Sequence, residues 1–410
     1  MAMLQGINDI SQIDLSTAFI YGRLPDYIYI ALPLGHDKRR SDKQLVWRTK
    51  ASIYGLEQSP SMWNKRLDEV LQKFNLTSLR TEPCIYTLRD NDHIILTVLI
   101  YVDDILFYGK ASAKEDFSKF MNQQFKIKSK SNVENFIGVQ INKVKQGLIL
   151  HQTKHISQNL KRFNLDQILT QYSTPLEMSE NILSSNNKVN LLDSKEINYL
   201  VQCSRPDGAY SACVLAQKAK CPTKNDLKRA LRVLIYFKSN SMYGIEYNLC
   251  KTSDIYLEVY VDSSFANGSN RKSINGYIIF INKNLLHWKS RTSAMVCQSS
   301  TEAEFVAVAM AMKDVEWIFN MLLELKQRIV VACVYCDNEA AIKIFKSHVS
   351  TARTKHMDYR LQYVKELFSN RYELRYVRTE DNIADMFTKS LGKNNFYKML
   401  NKVMKKFNVN

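Results

Sequence analysis

Tyr101-Val102-Asp103-Asp104 sets two adjacent carboxylates between apolar runs at residues 94–100 and 105–109. Burying such a pair without partners is costly, and the uninterrupted run is too short to cross a membrane. A β-hairpin whose tip holds both acids at a solvent-filled cleft resolves the conflict. Carboxylates fixed at a strand end suit magnesium, and paired metals there can activate a hydroxyl and steady a leaving pyrophosphate. The bland alternative is an ordinary Asp-Asp turn. A third acid argues against it. Residues 12–19 read as a strand that ends at Asp14 and passes into a helix. From an adjacent strand Asp14 could face Asp103 and Asp104 and complete a two-metal site.

The ordered motifs Asp14-Leu15-Ser16-Thr17-Ala18-Phe19, Ser52-Ile53-Tyr54-Gly55-Leu56-Glu57-Gln58-Ser59-Pro60, Tyr101-Val102-Asp103-Asp104, Asn135-Phe136-Ile137-Gly138-Val139-Gln140 and Ser204-Arg205-Pro206-Asp207 resemble the reverse transcriptases of copia-type LTR retrotransposons. The resemblance extends over nearly the whole chain. It implies an RNA-directed DNA polymerase with ribonuclease H activity. The implied fold is α+β and α/β, a right-hand polymerase palm and thumb with partial fingers, then a connecting segment and a ribonuclease H-like domain. Asp14, Asp103 and Asp104 are implied to hold two Mg2+ ions. Phe19 matches the aromatic gate against a ribose 2′-hydroxyl, with a plain core role as its alternative. Tyr54 and Gly55 fall in the block that lines the nucleotide pocket, and Phe136-Ile137-Gly138 near the primer terminus. The implied partners are an RNA template, a DNA primer, an RNA–DNA hybrid and dNTPs, with no membrane, inside a cytoplasmic particle.

The last third supplies a second set of acids. Residues 254–262 alternate, with Ile255, Leu257, Val259 and Val261 facing one way. Strands at 275–282 and 285–289 follow, then an Ala-, Met- and Leu-rich helix at 302–325, made of strong helix formers. A strand at 329–337, helices at 339–345 and 356–368, a strand at 372–377 and a short helix from Asn382 complete the order of a ribonuclease H fold. Asp262, Glu304, Asp337 and Asp385 then fall where that fold needs metal-holding acids, again for two Mg2+. Glu302 and Glu304 both occupy the first helical turn and either can close a capping box. The resemblance favours Glu304, followed by Phe305 and Ala307, and leaves capping to Glu302. Asp358, in Arg353-Thr354-Lys355-His356-Met357-Asp358, belongs to a family signature that fits a helix-surface role as well as a metal role.

Bulk composition agrees with a polyanionic partner, since the net charge is +17 and Lys and Arg dominate phosphate binding. Cys333 and Cys336 form a C-x-x-C, but positions three apart in a strand face opposite sides, which disfavours a shared zinc. Trp63, Leu67, Val70, Leu71 and Phe74 make a helical core stripe. The expected division is 1–178 for the polymerase, 179–252 for linker and connecting helices, 253–395 for the ribonuclease H-like domain and 396–410 for a basic tail. Two departures from the family pattern, Tyr21 for Asn and Gly208 for a branched apolar residue, join fingers that begin upstream of this chain. A fragment or decayed copy with weak polymerase activity is expected from them. A catalytically silent binder of nucleic acid is the second function class.

Overall fold

Alternating apolar side chains dictate the first sheet. The structure, a computed structural model, describes residues 2–7, 9–33, 35–36, 45–177, 194–250, 254–268, 271–346 and 358–408. They fall into two compact units, residues 9–133 with Ala2, and residues 3–8 with 134–410.

The 9–133 unit contains β1 (Ser11–Leu15), β2 (Tyr29–Ala31), β3 (Val46–Arg48), α1 (Ser59–Lys73), β4 (Thr77–Ser78), β5 (Ile85–Asp90), β6 (His93–Tyr101), β7 (Asp104–Gly109), α2 (Ala111–Gln124) and β8 (Ile127–Lys130). Six strands make one sheet in the order β4-β5-β6-β7-β1-β8, while β2 and β3 pair separately. Ile13, Leu15, Leu96, Val98, Ile105 and Phe107 bury against Trp63, Leu67 and Leu71 of α1 and Phe117 and Met121 of α2. The helical stripe expected from spacing is therefore core.

The larger unit begins with β9 (Asn135–Phe136), β10 (Val139–Val144), β11 (Gly147–His151) and α3 (Thr153–Arg162). Helices α4 (Ser194–Cys203), α5 (Ala209–Lys218) and α6 (Lys224–Ser239) lead to β12 (Tyr243–Asn248). Next come β13 (Asp254–Ser264), β14 (Ile274–Ile281), β15 (Asn284–Thr292), α7 (Ser300–Glu324), β16 (Arg328–Cys336) and α8 (Glu339–Lys346). The unit ends with α9 (Asp358–Asn370), β17 (Glu373–Tyr376), α10 (Lys393–Val403) and β18 (Lys405–Lys406). One sheet runs β18-β12-β11-β10-β9 and another β15-β14-β13-β16-β17. In the second, β13, β14 and β15 are antiparallel, and β16 and β17 lie parallel to β13 and β16. Helix α7 covers one face, where Val259, Val261 and Ile279 meet Phe305, Val308 and Met312. On the other face Ile278 and Phe280 share a core with Leu234 and Phe237 of α6 and Leu400 of α10.

This packing redraws the sequence-based division. Residues 134–177 group with the later helices, because Ile156, Leu160, Leu165 and Leu176 bury in the same core as α5 and α6. The segment read as a tail from residue 396 is a packed element: Phe396, Met399, Leu400 and Val403 are buried, and β18 pairs with β12. Pro206 opens a 3-10 turn at Pro206–Gly208, and Ser204 donates to Gln152 Oε1 at 2.8 Å. Residues 179–190 of the expected linker, the domain boundary at 253 and residues 353–357 of the Asp358 signature lie outside the described residues. Among the described residues no helix is long and apolar enough to cross a membrane.

Candidate active sites

Register brings the first acids together. In β1 and β7, Asp14 lies directly opposite Asp104, and Leu15 N–H donates to the Asp103 carbonyl at 2.9 Å. A two-residue loop, Val102-Asp103, joins β6 to β7. Val102 sits at φ 57°, a left-handed conformation that costs a β-branched residue about 1–2 kcal/mol. Trp63 Nε1 donates to the Val102 carbonyl at 2.7 Å and fastens this strained tip. Gln12 Nε2 donates to Asp104 Oδ1 at 2.9 Å. Burial raises the Asp104 carboxyl above its ordinary range, the Asp103 and Asp14 charges add to this, and the Gln12 hydrogen bond opposes it. Trp63 and Gln12 are supports that sequence reading missed, because each reads equally well as filler for a helix or strand face.

Phe19 and Tyr54 also meet. Their ring centroids are 4.6 Å apart, edge to face, and Ser52 Oγ donates to the Phe19 carbonyl. Phe19 follows the strand end through Thr17 at φ 57° and a 3-10 turn, Ala18–Tyr21. Gly55 has φ +96° with open space around its missing Cβ, so its backbone rather than crowding calls for glycine. Tyr21 is integrated into the core. Its ring packs 5.0 Å from Phe125 and its hydroxyl accepts from Lys126 N–H at 3.0 Å.

The second set converges more tightly. Asp262 projects from β13, Glu304 from α7 just past its first turn, which holds Glu302, Asp337 follows β16, and Asp385 lies in a 3-10 turn, Ile383–Phe387, rather than in the last helix. Ligand atoms of Asp262, Asp337 and Asp385 lie within 4.8 Å of one another, as do those of Glu304, Cys336 and Asp337. Among the described residues, the Asp14–Asp103–Asp104 set does not form such a group. Glu304 Oε1 accepts from Ser263 N–H at 3.2 Å, while Glu302 stays outside the cluster and accepts from Gln298 N–H at 2.6 Å, with Ser299 Oγ capping the helix.

Charge crowding defines this cluster. Burial, then the Asp262 and Asp337 charges, pushes Glu304 up to about 9. Burial, then Asp262, pushes Asp385 up to about 7, and burial also raises Asp262. Lys389 Nζ pairs with Asp385 Oδ1 at 2.9 Å. Burial works against its charge, but Asp262 and Asp385 hold its ammonium above the ordinary range. Thr388 Oγ1 donates to Asp262 Oδ2. Asn382 ties the turn to β13, donating to the Val261 carbonyl at 3.0 Å and accepting from Ala384 N–H. Thr388 and Lys389 stand three and four residues after Asp385, a helical-face spacing that could have flagged them. Cys336 had no such signal, since its role depends on which strand face meets α7.

Residues 3–178 match the family model described as reverse transcriptase (RNA-dependent DNA polymerase). The Retrovirus-related Pol polyprotein from transposon TNT 1-94 of Nicotiana tabacum is 29% identical over 408 residues, which is 95% of this chain and 30% of that protein. The corresponding polyprotein from transposon RE2 of Arabidopsis thaliana is 30% identical over 405 residues, 96% of this chain and 27% of that protein. Over nearly its whole length the chain is similar to copia-type Pol polyproteins, and residues 3–178 match the reverse transcriptase family. It spans about a third or less of the length of these Pol relatives. The reverse transcriptase match contains Asp14, Asp103 and Asp104, whereas Asp262, Glu304, Asp337 and Asp385 lie beyond it but within the aligned Pol region. Among solved structures, LC11-RNase H1 isolated from compost is 17% identical, covering 35% of this chain and 98% of its own, with a TM-score of 0.27. So low a score carries no inference.

Proposed function

We propose that this chain is an RNA-directed DNA polymerase with a second, ribonuclease H site, the 9–133 sheet serving as palm and the β13–β17 sheet as the nuclease scaffold. One observation carries the reading: two acid sets, far apart in sequence, each gather at the end of a sheet. The donors fit Mg2+. They are hard carboxylate oxygens, and four of the carboxyls, those of Asp104, Asp262, Glu304 and Asp385, are held above their usual range by burial and neighbouring negative charge.

Asp262, Glu304, Asp337 and Asp385 would hold the metal of one site, and Asp14, Asp103 and Asp104 that of the other. When bound, magnesium supplies the positive charge that polarises a phosphoryl oxygen and acidifies a nucleophilic hydroxyl or water. The protein's own part is positioning. Trp63 and Gln12 hold the hairpin acids in place, and Asn382 and Thr388 orient Asp385 and Asp262. The Phe19–Tyr54 pair would sit against a nucleotide sugar, where an aromatic edge disfavours an added 2′-hydroxyl. The excess of Lys and Arg steers and holds the template, primer and hybrid through their phosphates.

Cleavage of an RNA–DNA hybrid and extension of a DNA primer on an RNA template, each with and without Mg2+, test the two halves. Asp262→Asn should abolish the first alone and Asp103→Asn the second alone. Tight hybrid binding with neither activity would replace the reading with that of a silent nucleic-acid binder.

A further inference from the structure

We propose that the paired strands β2 and β3 form a stacking surface for a single-stranded segment of nucleic acid. Among the described residues no third strand joins this pair. Its large side chains lie open on both faces, with Tyr27 69%, Tyr29 61% and Trp47 50% exposed. A two-stranded sheet left in water is marginal, and large apolar side chains gathered on one mark a binding surface. Register sets their arrangement. Tyr29 lies directly opposite Arg48, so the two side chains share a face. Arg48 lays its guanidinium over the Tyr27 ring at 4.6 Å, which brings that ring to the same face. Thr49 N–H donates to the Ile28 carbonyl at 2.9 Å and carries the pairing past Arg48. Two rings and a planar cation therefore stand side by side in solvent.

That combination fits bases carried on a polyanion. Every base has a π-face that stacks on an aromatic ring or on a guanidinium plane, and Arg48 adds charge for the phosphates. A duplex hides those faces in its own stack, so the strand must be unpaired. Charge agrees with this occupant. Lys50 follows Arg48, and the connection between the two strands carries Lys38, Arg39, Arg40 and Lys43 against Asp37 and Asp42. A second copy of the chain would bring the same positive charge to the contact and be repelled. The inference rests on the polymerase reading only for the source of the strand, an unpaired stretch of template.

The test is fluorescence anisotropy of the full chain, without Mg2+ or dNTPs, on two labelled strands of about 20 nucleotides, longer than a single-strand site of this kind. One is oligothymidylate, and the other is an abasic strand with the same phosphates. The parent should prefer the thymidylate, and Tyr27→Ala and Tyr29→Ala should each shrink that preference by about tenfold. Tyr27→Phe and Tyr29→Phe keep the rings and should retain it, as should Tyr363→Ala, which removes an exposed ring on α9. Arg48→Gln should lower the salt slope of binding by about one. No preference in the parent, an unchanged preference in both alanine variants, or an unchanged slope for Arg48→Gln would overturn the assignment. Self-association abolished by the same alanine variants, beside an unchanged preference, would give the surface to a second copy instead. Absent primer extension beside the expected preference would sink the polymerase reading and leave the stacking surface standing.

Discussion

Trp63 holds the carbonyl of Val102 with its indole N–H at 2.7 Å, across 39 residues of sequence. The bond lands on the one loop residue that pays for a left-handed backbone, next to Asp103. The larger unit repeats the device. Ile137, at φ 47° in the two-residue loop Ile137-Gly138, has its carbonyl held by the Tyr199 hydroxyl from α4. In each case an aromatic donor from a helix offsets strain at a hairpin tip.

Trp63→Phe removes the donor and keeps most of the ring. It should cost about 1–2 kcal/mol in denaturant unfolding, the value of a buried hydrogen bond plus a small packing loss. Primer extension should fall further than that stability loss explains. Wild-type extension by a folded Trp63→Phe protein would show that the tip needs no fastening.

Glu304→Gln keeps volume and removes a carboxyl that would hold the metal. Hybrid cleavage should drop by several orders of magnitude while the thermal midpoint holds or rises, since one of the crowded acids is gone. Glu302→Gln keeps a capping side chain and should leave both nearly unchanged. A large loss from Glu302→Gln with normal cleavage by Glu304→Gln would exchange the two roles.

A fragment of residues 253–395 should not fold well alone. It would expose Ile278, Phe280, Leu285 and Phe387, which pack with Leu234, Phe237, Met399 and Leu400 outside it. Limited proteolysis of the full chain should instead leave a stable piece that begins near residue 134 and keeps the C-terminus. A well-dispersed NMR spectrum from the 253–395 fragment would contradict this.

Motif order and strand periodicity made the acids and the sheet order around α7 legible in the sequence. Asp262, Asp337 and the inward row of Ile255, Leu257, Val259 and Val261 follow from a period of two. What stayed hidden depends on contacts between distant segments. Nothing local shows that Phe396 or Leu400 of a basic C-terminal stretch would complete a core with α6, or that Asn382 would anchor to Val261. Gly208 illustrates the same limit. As a departure from the family pattern it reads as decay, yet a Cβ there would lie 2.5 Å from Phe237 and 2.9 Å from Val201.

That crowding makes Gly208→Ala destabilising, against the usual gain of alanine in a helical segment. Overpacking should cost about 1–3 kcal/mol. Phe237→Leu in the same chain should recover part of it by opening the space. An additive double mutant in urea melts would mean that Phe237 is not the obstacle.

His151 gives the chain a dependence on mild acid. Its side chain is buried at the end of β11, packs 4.4 Å from the Phe407 ring and leaves Nε2 without a partner. Burial, aided by the Lys154 charge, lowers its pKa from 6.5 to about 4. Between those values the unfolded chain takes up a proton that the folded chain refuses. Stability attached to His151 is therefore intact above pH 6.5 and falls as the pH drops towards 4, by on the order of 1 kcal/mol per pH unit. Because Phe407 anchors the strand that pairs with β12, the C-terminal segment should loosen first, visible as faster amide exchange around residues 405–407. His151→Phe keeps a ring against Phe407 without a titrating group, so the difference in unfolding free energy between it and the parent should grow steadily from pH 6.5 to 4.5. Parallel pH profiles for the two proteins would show that His151 is protonated in the folded state and that its burial has no such cost.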